Sequence, residues 1–312
     1  MFNKLLVISG PTATGKTDLA VKLAKKYNGE LVSGDSCQIY KGMDIGTGKD
    51  QPQDTPIHLI DLVTPDKKFS VADFQKIGLQ SIKEIQSRHK LPILVGCSGF
   101  YIDSLINPNY NTFSIKPNIF LRFIFKYLSL NCLQKIYKIL DKDGYCKLNH
   151  SDINNHYRLT RKIEIKISKK NSFFSKGRCH ELTEGFFPFD IFHVSLTAPL
   201  DFLYKRIDAR VDKRMEIGFL EEIKNLLKKY KWSDPGMQIA AYQCLKPYFL
   251  ETNRNDSLLQ TCLQSWSYAE HSDARRQTCW FKTKSNATFF GITKKKYEEN
   301  IFKQVDKWYN KL

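Results

Sequence analysis

The chain is 312 residues long and 42% hydrophobic, enough apolar content to bury a substantial core in one large or two smaller domains of a soluble globular protein. Its apolar stretches exclude a membrane span: a run such as Phe120 to Leu130 is short and interrupted by Arg122 and Lys126. The formal net charge of +17 is uneven, since residues 1–110 carry +2, residues 111–190 carry +8 and residues 191–312 carry +7, a pattern that suits equally a near-neutral catalytic core joined to a polyanion-binding surface and a lysine-rich surface that is merely solvated.

The N-terminus runs from Met1 straight into the strand-like KLLVISG with no apolar leader or cleavage site, so a cytoplasmic protein is expected. Residues 5–10 read as a short buried strand. After the loop that follows, Leu19, Ala20, Leu23, Ala24 and Tyr27 recur at helical spacing. Further strands are predicted at 30–34 (ELVSG), 58–63 (HLIDLV), 92–96 (PILVG), 189–196 (FDIFHVSL) and 287–292 (ATFFGI). Strands alternating with helices predict a parallel, helix-flanked sheet. Between 107 and 188 the strand signals fade, and a mostly helical insertion is expected, opened by the turn-rich NPNYNTFSIKPN. The division expected is therefore a core of 1–106 with 189–312 and an insertion of 107–188. The eight cysteines show no C-x-x-C or zinc-ribbon spacing, and most read as buried thiols in a reducing compartment.

One loop carries a strong chemical signal. Gly10, Pro11, Thr12, Ala13, Thr14, Gly15, Lys16 and Thr17 fit G-x-x-x-x-G-K-[ST], after a strand and before a helix, which is the context a P-loop requires. Backbone N–H groups and the helix N-terminus can cradle a diphosphate, Lys16 can neutralise its oxygens, and the Thr17 hydroxyl can reach a phosphate-bound Mg²⁺. The loop alone leaves open a hydrolase, a kinase or another transferase. PILVG ends in Gly96 and HLID offers only Asp61, so the Asp-terminated strand of motor-type ATPases is missing. Asp35 follows the second strand, at the carboxyl edge where parallel sheets place ligand-contacting groups, and can accept a proton there; it equally suits a turn or N-cap.

Five blocks resemble the tRNA dimethylallyltransferases in order and spacing: GPTATGKT, DSCQIYKGMDIGTGK (35–49), HLIDLVTPDKKFSVADF (58–74), PILVGCSGFYI (92–102) and RRQTCWFK (275–282). The resemblance implies a P-loop NTPase-like sheet with a helical tRNA-binding insertion. It further implies that the cradle holds dimethylallyl diphosphate with Mg²⁺, and that the prenyl group goes to N6 of adenosine 37 beside the anticodon. Asp35 is then the proton acceptor, Thr17 and Arg210 act on the departing diphosphate, and the acceptor RNA meets Asp35, Ser36, Cys37, Gln38, Ser98, Tyr157, Arg158, Leu159, Thr160, Arg161, Gln238, Tyr242 and Gln243. Arg210 lies in a basic helix-like segment, 206–219, with Arg206 and Arg214 on the same face. Tyr157 and Tyr242 suit either base stacking or a core. Three places depart from the family pattern: GCSGFY stands where GGTGLY is usual, Ala241-Tyr242 where Gly-Tyr is usual, and DINNHY precedes Arg158 in place of a His-Pro-Asn-Asp-like block. The competing readings are an adenylate isopentenyltransferase acting on free nucleotide, an RNA-binding protein with a relic P-loop, and a small-molecule kinase. The basic insertion argues against the first, and the retained Lys16, Thr17, Asp35 and Arg210 against the second. A monomer is expected.

Overall fold

Six apolar segments form one parallel sheet: β1 (Lys4–Ser9), β2 (Gly29–Ser33), β3 (Ile57–His58), β4 (Leu91–Gly96), β5 (Asp190–Thr197) and β6 (Thr288–Gly291), in the order β3-β2-β4-β1-β5-β6. The structure, a computed structural model, describes residues 3–49, 52, 55–107, 115, 117–172 and 189–311. Central strands are apolar throughout because both faces are covered. Leu6, Ile8 and Ile93 pack beneath α1 (Lys16–Tyr27), while Leu5, Val7 and Leu94 face α2 (Val71–Ser87) and α3 (Gly99–Ile106). The chain leaves β1 toward β2 on one side and later enters β5 on the other. That reversal opens a crevice at the carboxyl ends of the strands, where ligands of such sheets bind.

The predicted strand 58–63 is the one that fails. Only Ile57 and His58 pair with β2. Leu59 and Asp61 adopt positive φ (65° and 54°), which breaks the pleat, and the N–H groups of Asp61 and Leu62 donate to Gln38 and Ile39 carbonyls. The other five predicted strands form to within a residue or two. Glu30, buried on β2, accepts from His58, Arg88 and Lys90; burial pushes its carboxyl up, but these bonds, Lys90's foremost, outweigh that and hold it down at about 2.

The chain divides into two compact units, residues 1–107 with 188–312, and 108–187. The second contains α4 (Ile119–Lys126), α5 (Leu130–Leu140), α6 (Lys142–Cys146), α7 (His150–Ile153) and α8 (His156–Ser172), and has its own core of Phe125, Leu133, Tyr137, Leu159 and Ile163. Within it the buried Glu164 carboxylate takes a two-pronged bond from Arg122 (2.7 and 3.0 Å) and another from Arg161 (3.1 Å).

The first unit is completed by α9 (Leu200–Glu216), α10 (Phe219–Leu227), α11 (Ala240–Leu250), α12 (Asp256–Lys284) and α13 (Tyr297–Tyr309). A cluster centred on Phe219, Tyr242 and Trp266 binds α9 to α12 to the loop around Ile39–Met43. Among the described residues no helix is long and apolar enough to cross a membrane.

Candidate active site

The glycine-rich turn between β1 and α1 is built as the spacing demands. Gly10 has φ 140°, and a Cβ there would stand 2.4 Å from the Leu196 carbonyl oxygen of β5, so no side chain fits. Gly15 turns left-handed (φ 77°) into the first residue of α1. Lys16 Nζ donates across the loop to the Pro11 carbonyl (2.7 Å), and the buried Thr14 hydroxyl donates to the same oxygen (2.8 Å). Thr12 is held from both sides: its N–H donates to Gln277 Oε1 (2.8 Å) and its hydroxyl accepts from Arg210 (3.1 Å). Thr12, Ala13, Gly15, Lys16 and Thr17 line a cavity of about 650 Å³, within the range of small-ligand sites.

Asp35, Ser36, Cys37 and Gln38 enter the same cavity from the end of β2. Asp35 Oδ1 accepts from the Cys37 N–H (2.9 Å), closing an Asx turn, and Oδ2 accepts from the Cys97 thiol (3.1 Å). Ser98 follows β4; its hydroxyl accepts from the Ser36 N–H (3.0 Å) and meets the Ser36 hydroxyl at 3.1 Å, tying the two strand ends together. Gln38 accepts from Ser33 (2.8 Å) and donates to the Gly48 carbonyl (3.3 Å). Gly48 is left-handed (φ 61°), and a Cβ would strike the guanidinium groups of Arg214 and Arg210, at 2.2 and 2.9 Å.

Helix α9 supplies Arg206, Arg210 and Arg214 to the cavity, the same-face cations that the spacing implied, and Lys213 beside them. Arg214 is buried, over the Trp266 ring, and pairs with Glu270 (2.9 Å). Asp273, from α12, has its carboxyl pushed up, chiefly by burial, with Glu270 and Asp35 adding to the rise against the opposing Arg276.

Several residues expected at an RNA contact sit elsewhere. Tyr242 is fully buried against Phe219, its hydroxyl donating to Glu222 (2.7 Å), so it is a core ring and cannot stack on a base. Leu159 is likewise core, and Thr160 is buried with no hydrogen-bond partner for its hydroxyl among the described residues; the helical stripe of α8 turns both inward. Arg161 bonds Glu164 and the Ile115 carbonyl, which makes it part of the scaffold of its unit. Arg158 is more than half exposed, paired with Asp152, and Tyr157 is 67% exposed beneath the Arg122 guanidinium. Gln243 donates to the Trp232 and Met237 carbonyls, and the exposed Gln238 also donates to Trp232. Ala241 lies in the first turn of α11 without positive φ, so alanine is accommodated there.

Three contributors escaped the sequence reading. Glu222 accepts from the N–H groups of Asp44, Ile45 and Gly46 and clamps the 44–48 loop. Gln277 stood inside a recognised block, RRQTCWFK, with no role attached. Lys213 carried only its helical register with Arg206 and Arg210 as a signal.

Against this geometry, the sequence pattern of IPP transferases matches residues 38–284. The chain belongs to the IPP transferase family. It is 34% identical over 305 residues to a tRNA dimethylallyltransferase of Halalkalibacterium halodurans, covering 96% of this chain and 95% of that one. A relative of the same name from Carboxydothermus hydrogenoformans is 34% identical over 306 residues (96% and 95%). Among solved structures, the tRNA isopentenylpyrophosphate transferase of Bacillus halodurans superposes with a TM-score of 0.69 at 31% identity over 98% of both chains. A eukaryotic dimethylallyltransferase acting on tRNA gives 0.80 at 24% identity, over 97% of this chain and 78% of that one, a likeness of fold. The family's P-loop NTPase-like architecture is the one seen here.

Proposed function

We propose that the chain transfers a dimethylallyl group from dimethylallyl diphosphate to the exocyclic N6 of adenosine 37 in tRNA, releasing diphosphate. The observation that carries this reading is one cavity lined by both halves of the chemistry: the glycine-rich loop with Lys16, Thr17 and Arg210, and Asp35 at the exit of β2. Allylic C–O cleavage sends the bonding electron pair to the diphosphate, so catalysis needs cations where that charge develops. Lys16, Arg210 and the N-terminus of α1 suit that role. As the N6 lone pair bonds the allylic carbon, nitrogen must lose a proton, and Asp35, held by two donors, keeps lone pairs with which to take it.

Mg²⁺ fits the residues present. The Thr17 hydroxyl offers one hard oxygen on the cavity wall, and no cluster of three acidic, His or Cys ligands exists among the described residues, so the ion would arrive on the phosphates. When bound it would neutralise the leaving group. Exposed Arg158 and Tyr157 suit contact with the anticodon arm, whose backbone attracts the basic 111–190 segment.

The deciding assay supplies labelled dimethylallyl diphosphate and Mg²⁺ with unmodified tRNA, an anticodon stem-loop, or free AMP. Label is expected in both RNAs, on N6 of adenosine 37, and not in AMP. Asp35→Asn should keep diphosphate binding and lose roughly 10²-fold or more in single-turnover transfer. Transfer to AMP alone, or an unimpaired Asp35→Asn, would overturn the reading.

A further inference from the structure

We propose that Cys97 is a positioning residue for Asp35, its thiol fixing the carboxylate in the orientation from which it takes the acceptor's proton. The proposal rests on the transfer reaction given above. Cys97 follows directly on β4 and lines the cavity. Its Sγ stands 3.1 Å from Asp35 Oδ2, while Oδ1 is occupied by the Cys37 N–H at 2.9 Å.

The second bond matters because of the torsion it controls. The χ2 rotation of an aspartate is broad and roughly two-fold, so a single bond from the neighbouring Cys37 backbone leaves the carboxylate plane loosely defined. A donor on the other oxygen, brought by a different strand, closes that freedom. Ser98 reinforces the arrangement, since its bonds to Ser36 hold the β4 exit against the β2 exit. The thiol is also a donor that persists: burial first, then the Asp35 charge, push its ionisation well above the ordinary range, so the proton stays on sulfur. Asp35 Oδ2 retains a second lone pair for the incoming proton.

A thiol is a weak donor, and the expected effect is correspondingly modest. In full-length protein, Cys97→Ala should slow single-turnover prenyl transfer to an anticodon stem-loop roughly 3–10-fold, with the Kd for dimethylallyl diphosphate and the melting temperature unchanged. Cys97→Ser, which restores a donor of similar reach, should recover most of the rate. The bond itself is read independently of activity: the infrared difference between wild type and Cys97→Ala isolates the Cys97 S–H stretch, and that band should shift in Asp35→Asn. A Cys97→Ala rate equal to wild type, a serine variant no faster than alanine, or an S–H band indifferent to Asp35→Asn would each overturn the proposal. Should wild type transfer no prenyl group, the functional reading fails instead, and the infrared comparison still judges the bond.

Discussion

Replacing Glu222 with Ala removes a carboxylate that serves four donors at once. Oε2 accepts from the Asp44 and Ile45 N–H groups (2.8 and 2.7 Å), and Oε1 accepts from the Gly46 N–H (3.0 Å) and the Tyr242 hydroxyl (2.7 Å). The Asp44 and Ile45 amides can find water at the edge of the loop, so little of their nominal strength is lost, whereas Gly46 is buried. Tyr242 is fully buried and cannot find water, and an unpaired buried hydroxyl costs about 1–3 kcal/mol. Adding one charge-assisted bond's worth for the loop gives a loss of about 3 kcal/mol, read as a fall in melting temperature of roughly 5–10 °C. Function should suffer in a directed way. Gly46 and Gly48 line the cavity, and their carbonyls receive Arg214 and Gln38, so a loosened loop should spoil the side we propose for the acceptor. We expect kcat/KM for tRNA to fall roughly 10-fold or more while diphosphate affinity changes little. Glu222→Gln should be intermediate, because its amide group can accept for one oxygen's pair only and turns a donor toward the other. A Glu222→Ala protein with unaltered melting and unaltered tRNA kinetics would refute the clamp.

Lys16→Ala should lower donor kcat/KM by about 10²-fold, since the ammonium both binds the phosphates and braces the loop at Pro11; near-wild-type donor kinetics would refute its assignment. Arg158→Ala should weaken tRNA binding and reduce the salt slope by about one phosphate contact, whereas Arg161→Ala should show mainly as lower stability, because it strips a partner from the buried Glu164; salt titrations and melting curves separate the two. His193 is buried beside Ser9, and burial lowers its ionisation to about 4 from an unfolded value of 6.5. The unfolded chain therefore binds the extra proton first, so this contribution is complete above pH 6.5 and is lost as pH falls toward 4, about 2 kcal/mol of it by pH 5. Denaturation of wild type and His193→Gln at pH 8 and pH 5 checks this, the variant losing less stability across the interval.

What was legible in the sequence was local. The run Leu5–Ile8 announces a strand covered on both faces, and the glycines around Lys16 announce a turn whose backbone must approach something closely, because each signal is complete within a few residues. HLIDLV misled for the same reason: its apolar letters suit a strand, but Lys49 captures the Asp61 carboxylate and the Gln38–Ile39 carbonyls capture the following N–H groups, contacts formed from outside the segment. Leu159 and Thr160 fell in a stretch read as helical but were not assigned a face, and Tyr242 was assigned no element at all; their faces depended on the α8 stripe and on Phe219 and Trp266. Gln277 and Glu222 were invisible as functional groups because their partners lie 265 and up to 178 residues away. A glutamine or glutamate within a helix carries no mark of such a partner.

The distribution of charge around the cavity explains why these distant pairings are needed. Lys16, Arg206, Arg210, Lys213 and Arg214 face Asp18, Asp35, Glu270 and Asp273 across one space, nearly balanced in number. Balance alone would cancel the field that a departing diphosphate requires. The protein prevents this by committing the acids differently. Glu270 is consumed by Arg214 and the Trp266 indole N–H, and Asp273 is pushed toward its neutral form by burial and by its acidic neighbours. Asp35 is held by donors that carry no charge, a peptide N–H and a thiol. The cations thus gather at the glycine-rich loop and on α9, and the Asp35 carboxylate stands at the exit of β2. A reaction that releases an anion and a proton in the same event needs that separation, and here it is set by pairings that only the folded chain can make.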